Sequence, residues 1–249
     1  MEKRYFISLS YHGTAYCGWQ IQPNGNSIQA ELTKALSTIL REPIAIVGAG
    51  RTDAGVHAKL MVAHFDAPQK IEEISKFVGK LNSFLPADIA IDKLEEVNGQ
   101  AHARFDALSR RYEYHIVTHK SPFHTHLAAR VTTPLDFVKM NEAANLLLEY
   151  EDFTSFSKLH TDAKTNNCKI STARWELVGE EWIFTIEANR FLRNMVRAIV
   201  GTLFEVGKGT LSVADFRAVI EAKDRCQAGH SVPASGLYLV DVTYPSTVF

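Results

Sequence analysis

Apolar and polar positions along this chain repeat with two periods, close to 2 over short stretches and close to 3.6 over longer ones. Arg4 to Ser10 alternates as a strand, with Tyr5, Ile7 and Leu9 on one side and Phe6 and Ser8 on the other. Ile28, Leu32, Ala35, Leu36, Ile39 and Leu40 recur on one helical face. Ahead of them, Asn24 to Ser27 marks a turn, in which Asn26 and Gln29 fit a capping pair. Ile44 to Ala49 and Leu60 to Asp66 read as strands on either side of a glycine-rich connection. Ile71 to Ser83 reads as an amphipathic helix and Ile89 to Val97 as a strand. A similar order follows. Ser109 to Val117 alternates strictly, with Tyr112, Tyr114 and Ile116 on one face and Arg111, Glu113, His115 and Val117 on the other. Leu135 to Glu149 has helical spacing. Ile170 to Val178 and Trp182 to Ala188 form a hairpin around Gly179-Glu180-Glu181. Asn189 to Phe204 has helical spacing, and so does Phe216 to Ala222 behind a Ser212–Asp215 cap. Pro233 to Val242 closes the chain as a strand. The pattern predicts an α+β fold in two similar halves, 1–107 and 108–249, with helices packed on one face of a sheet.

The 46% apolar and 22% charged residues are those of an ordinary globular protein. No apolar run approaches the ~20 residues that a membrane helix needs. Met1-Glu2-Lys3-Arg4-Tyr5 leads straight into a strand pattern, with no signal-peptide core. Cys17, Cys168 and Cys226 are scattered and odd in number, which points to free thiols in a reducing cytoplasm. The net charge of −1 hides a patchwork. Asp66 to Glu96 is acidic, whereas Ala101 to Arg130 and Phe153 to Val200 are basic, so the chain can carry a basic face.

The densest chemistry lies in Gly48-Ala49-Gly50-Arg51-Thr52-Asp53-Ala54-Gly55-Val56-His57-Ala58. An Arg, a Thr, an Asp and a His stand between glycines in a connection held by two core strands, where reactive side chains tend to be placed. A tight turn with a capping Asp and an ion-paired Arg would also account for it. Tyr11 to Pro23 interleaves aromatics, glycines and amides, as an RNA-facing loop or a core edge does. His115, His119, His124 and His126 lack a tight metal-ligand spacing and are expected as surface or RNA-facing loop residues. Arg190, Arg193 and Arg197 fall at i, i+3 and i+7, which puts them on one face of the expected helix. The polar stretch Leu159 to Cys168 reads as a mobile insertion able to clamp RNA.

Five blocks resemble the tRNA pseudouridine synthases of the TruA family: G-R-T-D-x-G-V-H-A at Gly50–Ala58, Y-x-G-x-x-x-x-G-W-Q at Tyr11–Gln20, R-x-Y-x-Y at Arg110–Tyr114, F-x-x-x-M-V-R-x-I-V-G at Phe191–Gly201, and A-x-G-L-x-L at Ala234–Leu239. The resemblance implies two α+β halves forming one continuous, mostly antiparallel sheet with the active site in the cleft between them. It implies isomerisation of uridine to pseudouridine at positions 38, 39 and 40 of the tRNA anticodon stem-loop, by a cytoplasmic homodimer with no metal, redox cofactor or membrane. Asp53 would be the nucleophile, Arg197 its electrostatic partner, and Tyr112 a ring stacked on the flipped uracil and a base toward C5. Leu237 would pack on the other side of the uracil, and Arg51 would fill the vacated space or hold a phosphate. Arg110, Arg111, Arg190 and Arg193 would meet the RNA backbone. Other readings remain open: the same chemistry on a different uridine or RNA, a non-catalytic tRNA chaperone, or a glycoside hydrolase pairing Asp53 with Asp106 or Glu113.

Overall fold

The computed structural model describes residues 2–23, 25–158 and 165–249. Among them nine strands and five α-helices make an α+β fold in which antiparallel strand pairs predominate. Two compact units emerge, Met1–Leu108 with Leu239–Phe249, and Ser109–Tyr238.

In the first unit β1 (Lys3–Tyr11) runs antiparallel to β3 (His57–Ala67) on one side and to β4 (Ile89–Glu96) on the other, and β2 (Ile46–Gly48) adds to β3. Tyr5, Ile7 and Leu9 are buried, as their alternation requires. Phe6, on the opposite face, is buried too, because the rings of Tyr244 and Phe249 lie against it at 5.0 and 6.1 Å. These rings, together with the Asn98 N–H bonded to Val248 O and the Tyr244 hydroxyl bonded to Ala103 O, hold the C-terminal residues in this unit. Helix α1 (Ile28–Leu40) is capped by Ser27, whose hydroxyl accepts from the Ala30 N–H. Asn26 is therefore not the cap. Its side chain accepts from the Ser27 N–H and donates to Glu31 instead. Helix α2 (Ile74–Phe84) sends Asn82 to the backbone of Ile91, giving to its carbonyl at 2.9 Å and accepting from its N–H at 2.7 Å. The edge of β4 is thereby covered.

The second unit repeats that device. Strand β5 (Ser109–Val117) pairs antiparallel with β8 (Glu181–Ala188), which pairs with β7 (Ile170–Val178), while the short β6 (Ala129–Arg130) runs parallel to β5. From α3 (Phe137–Leu146), Asn141 gives to the Trp175 carbonyl at 3.1 Å and accepts from the Trp175 N–H at 2.7 Å. Each unit thus carries a helix asparagine clamped on a strand backbone. Nearly every residue of α4 (Met195–Gly207) is buried, so it is the core helix of this unit. Helix α5 (Val213–Ala222) has the expected capping box of Ser212 and Asp215. Strand β9 (Leu237–Thr243) is the last strand, and a short 3-10 turn at Ser246–Val248 follows it.

Helix α4 begins six residues later than the spacing of Asn189 to Phe204 predicts. Asn194 takes φ +65°, a left-handed conformation that cannot continue a right-handed turn but that asparagine tolerates. Its side chain bonds Ser231 Oγ at 2.6 Å. Most of the insertion expected at 159–168 lies outside the described residues.

Two outcomes are expected. Asn82→Ala and Asn141→Ala each lose two side-chain bonds to the strand backbone and should destabilise by about 1–2 kcal/mol, read as a lower thermal midpoint. His64 supplies the second. Burial first, then the charges of His102 and Arg4, lowers its pKa to about 4, and its Nδ1 accepts from the Ala103 N–H. The folded state therefore holds it neutral while the unfolded chain protonates it near 6.5. Its contribution is complete above pH 6.5 and is lost as pH falls toward 4, by about 3 kcal/mol at most. The stability difference between wild type and His64→Gln, followed by denaturant titration, should shrink across that window.

Candidate active site

The Asp53 loop joins β2 to β3. Ala49 extends the pairing through its N–H to Val62 O at 2.7 Å, and Gly55 turns the chain at φ +79°. The second motif, Tyr11 to Gln20, packs straight onto this loop. The Trp19 N–H donates to Thr52 O and the Gly55 N–H to Tyr16 O. The Tyr11 hydroxyl and Thr52 Oγ1 are 2.9 Å apart in a buried bond. His57 Nδ1 accepts from the Gly13 N–H at 3.0 Å. Two glycines make the approach possible. A Cβ on Gly13 would come within 1.9 Å of Val56 O. At Gly18, already at φ +90°, it would come within 2.3 Å of Thr52 O. Tyr11, Tyr16 and Trp19 are buried, so these aromatics are the underside of the Asp53 loop rather than an RNA-stacking surface. Asp53 itself is half-buried at the top of this stack, and Arg51 is exposed. Gly48 has its own reason to lack a Cβ, which would strike the Trp19 ring at 2.5 Å, whereas Gly50 faces open space.

In the second unit Tyr112 lies on β5, buried, with the Phe191 ring edge-on at 5.1 Å. Tyr114, two residues on, donates to Pro233 O at 3.0 Å, and burial raises its pKa against the lowering effect of nearby Arg197. Arg197 is on the first turns of α4, half-buried, and its Nε donates to Val232 O at 2.8 Å. The Val232 N–H returns a bond to Arg197 O. The strap from Gly229 to Gly236 is thus tied to α4 and β5 together. Here again glycines permit the contact. A Cβ on Gly201 would meet His230 O at 1.7 Å, and one on Gly236 would meet His115 O at 2.7 Å. Leu237, buried, follows directly on the strap.

The four outer arginines separate. Arg190 and Arg193 precede α4, so they share no helical face with Arg197. Arg190 lies near enough to Cys168 to offset part of the burial that raises that thiol to about 11. Arg193 is exposed, and its carbonyl accepts from the Lys158 N–H. Arg110 donates to Asn189 O, and Arg111 to Glu187 through Nε and Nη2 at 2.9 and 2.7 Å. Burial pushes the Glu187 carboxyl up, but the bonds from Arg111 and Ser109 outweigh it and hold the pKa low. His115 is not a loop residue. It is buried on β5, between Glu181 at 2.5 Å and Glu113 at 3.0 Å, and Glu181 also holds His124 at 2.7 Å. Among the described residues no cluster of His, Cys, Asp or Glu has the makings of a metal site, and no helix is long and apolar enough to cross a membrane.

The family model described as tRNA pseudouridine synthase matches residues 7–106 and 143–245. The chain belongs to the tRNA pseudouridine synthase family. Proteins named tRNA pseudouridine synthase A from Parabacteroides distasonis and Bacteroides fragilis are 58% and 59% identical to it, over 99% of this chain and 98% of theirs. One from Bacteroides thetaiotaomicron is 58% identical over 99% of this chain and 93% of its own length. The chain is accordingly an isomerase that converts uridine to pseudouridine in tRNA. The matched ranges contain the Asp53 loop, Arg197 and Leu237. The segment with Arg110, Arg111 and Tyr112 falls between them.

Sequence reasoning about this synthase overlooked Thr52, His57, Tyr114 and the Gly229–Gly236 strap as supports. The motif glycines Gly13, Gly18 and Gly201 were the available signal, since each marks a place where another backbone comes close. One test concerns the buried Tyr11–Thr52 bond. A double-mutant cycle with Tyr11→Phe and Thr52→Val, read by denaturant unfolding, should give a coupling of about 1 kcal/mol. A coupling near zero would mean that the two hydroxyls contribute independently.

Proposed function

We propose that this synthase acts on uridines 38, 39 and 40 of the tRNA anticodon stem-loop, in the cytoplasm and as a homodimer. Asp53 is the nucleophile, Tyr112 the base toward C5, and Arg197 the cation that favours the ionised carboxylate. The observation that carries this reading is the construction of the Asp53 loop. Its carboxylate-bearing backbone is gripped from below by a second motif loop through backbone bonds and two Cβ-less contacts, a degree of preorganisation that an ordinary turn does not need.

The reaction breaks the N1–C1′ bond of the nucleotide and makes a C5–C1′ bond. The hydrogen at C5 leaves as a proton and N1 gains one, so the change is an isomerisation without redox. Uracil must leave the stack to turn over, at a cost of a few kcal/mol. Stacking on Tyr112 and packing on Leu237 offset part of it. Arg51 occupies the space of the flipped nucleotide or holds a phosphate. Arg110, Arg111, Arg190 and Arg193 meet the RNA backbone, where recognition rests on shape and charge. For Arg111 this requires sharing or giving up Glu187. The homodimer, the location and the choice of positions are supported by the resemblance of the five motifs to the family.

The test is tritium release from tRNA labelled at uridine C5, followed by mapping of the modified positions. Wild type should release tritium, and Asp53→Ala should fall to background. Tyr112→Phe should slow release about 10²–10⁴-fold, and Arg197→Lys should be impaired because lysine keeps charge but loses the planar fork. Full activity in Asp53→Asn would remove the nucleophile assignment. Binding without release would favour the chaperone reading. Sedimentation showing only monomer at working concentration would remove the homodimer.

A further inference from the structure

Among the described residues several large apolar side chains stand in solvent, Phe123 and Phe105 the most exposed of them. Phe105 is 74% exposed, in the turn between β4 and β5. The turn that carries it is tightly built. The His102 N–H donates to Asp106 Oδ2 at 2.7 Å, and the Asp106 N–H returns to His102 O at 3.0 Å. His102 Nδ1 faces the N–H groups of both Arg104 and Phe105, at 3.2 and 3.3 Å. Ala103, fully buried, is held on one side by His64 Nδ1 and on the other by the Tyr244 hydroxyl. The Phe105 ring is therefore presented by a fixed backbone.

Its surroundings suit a flat, electron-rich partner. The His102 ring is stacked beside Phe105 at 4.2 Å and 30°, and the His64 ring meets His102 at 4.6 Å. This series of rings begins at the buried His64 on β3 and ends at the exposed phenyl group. The Arg104 guanidinium lies 5.8 Å from the centre of that ring and brings positive charge to the same place. A second protein copy is a poorer fit, because one aromatic side chain covers ~150–250 Å², whereas a stable interface takes about 800 Å² from each partner.

We infer that Phe105 is a stacking platform for an unpaired base of the bound tRNA, beside the positive charge of Arg104. The inference rests on the reading of this chain as a tRNA-modifying enzyme whose target uridine is at Asp53. That base is not the isomerised one. His64 stands seven residues along β3 from His57, where the Asp53 loop ends. At ~3.3 Å per residue this is roughly 23 Å of strand, or about seven stacked-nucleotide steps of ~3.4 Å. Phe105 thus adds a contact outside the reacting nucleotide, of the kind that sets affinity and register on the RNA.

The experiment pairs turnover with direct binding. Phe105→Ala should raise KM for tRNA about 5- to 150-fold, the range for losing one base–aromatic stack, with kcat at saturating tRNA unchanged. Phe105→Tyr should restore wild-type KM, whereas Phe105→Leu, which keeps apolar bulk without a π-face, should not. The fluorescence of Phe105→Trp should be quenched on titration with tRNA. An unchanged KM in Phe105→Ala, or full rescue by Phe105→Leu, would overturn the platform. A shift from dimer to monomer on sedimentation of Phe105→Ala would assign the ring to contact between copies and overturn it as well. Absence of quenching in Phe105→Trp would overturn it whatever the turnover. Absence of tritium release by wild type would instead overturn the isomerase reading, so the two failures are told apart.

Discussion

The construction of the Asp53 loop depends on backbone meeting backbone without side chains in between. Gly13 and Gly18 bring the Tyr11–Gln20 loop within hydrogen-bonding reach of the Asp53 loop, and any Cβ at either position would occupy space already filled by a carbonyl oxygen. The buried Tyr11–Thr52 bond and the His57 bond to the Gly13 N–H then complete the grip. A half-buried carboxylate within a glycine-rich loop would otherwise have many conformations to choose among. Here that ordering is achieved on folding, by contacts within the chain.

The second unit uses the same physical means for a different group. The Gly229–Gly236 strap lies on α4 because Gly201 lacks a side chain, and on β5 because Gly236 does. The strap then orients Arg197 through Val232 and leads directly into Leu237, while the Tyr114 hydroxyl secures it at Pro233. Tyr112 and Tyr114 share a strand face. Tyr112 stands next to Phe191, and the Tyr114 hydroxyl ties the strap at Pro233. The two units also share the asparagine clamp, Asn82 on Ile91 and Asn141 on Trp175, a likeness at the level of hydrogen bonding that the residues around them do not repeat.

The sequence by itself determined the class of fold, the position of most elements and the family. Local periodicity decides the first two, since alternation and 3.6-residue spacing follow from which faces are buried. The unbroken run Gly50–Ala58 marked the family before any geometry was known. Tertiary structure decided what periodicity cannot express. It showed that Tyr11, Tyr16 and Trp19 support the loop from below, since a buried and an exposed aromatic look alike in sequence. It ended the helical pattern at Asn194, where a left-handed residue bonded to Ser231 separates Arg190 and Arg193 from Arg197. It brought Glu181 to His115 and Glu187 to Arg111, pairings made by strands that are neighbours in space and far apart in the chain. Spacing along one segment records only which side of that segment faces inward. The identity of what it meets there is a property of the folded whole.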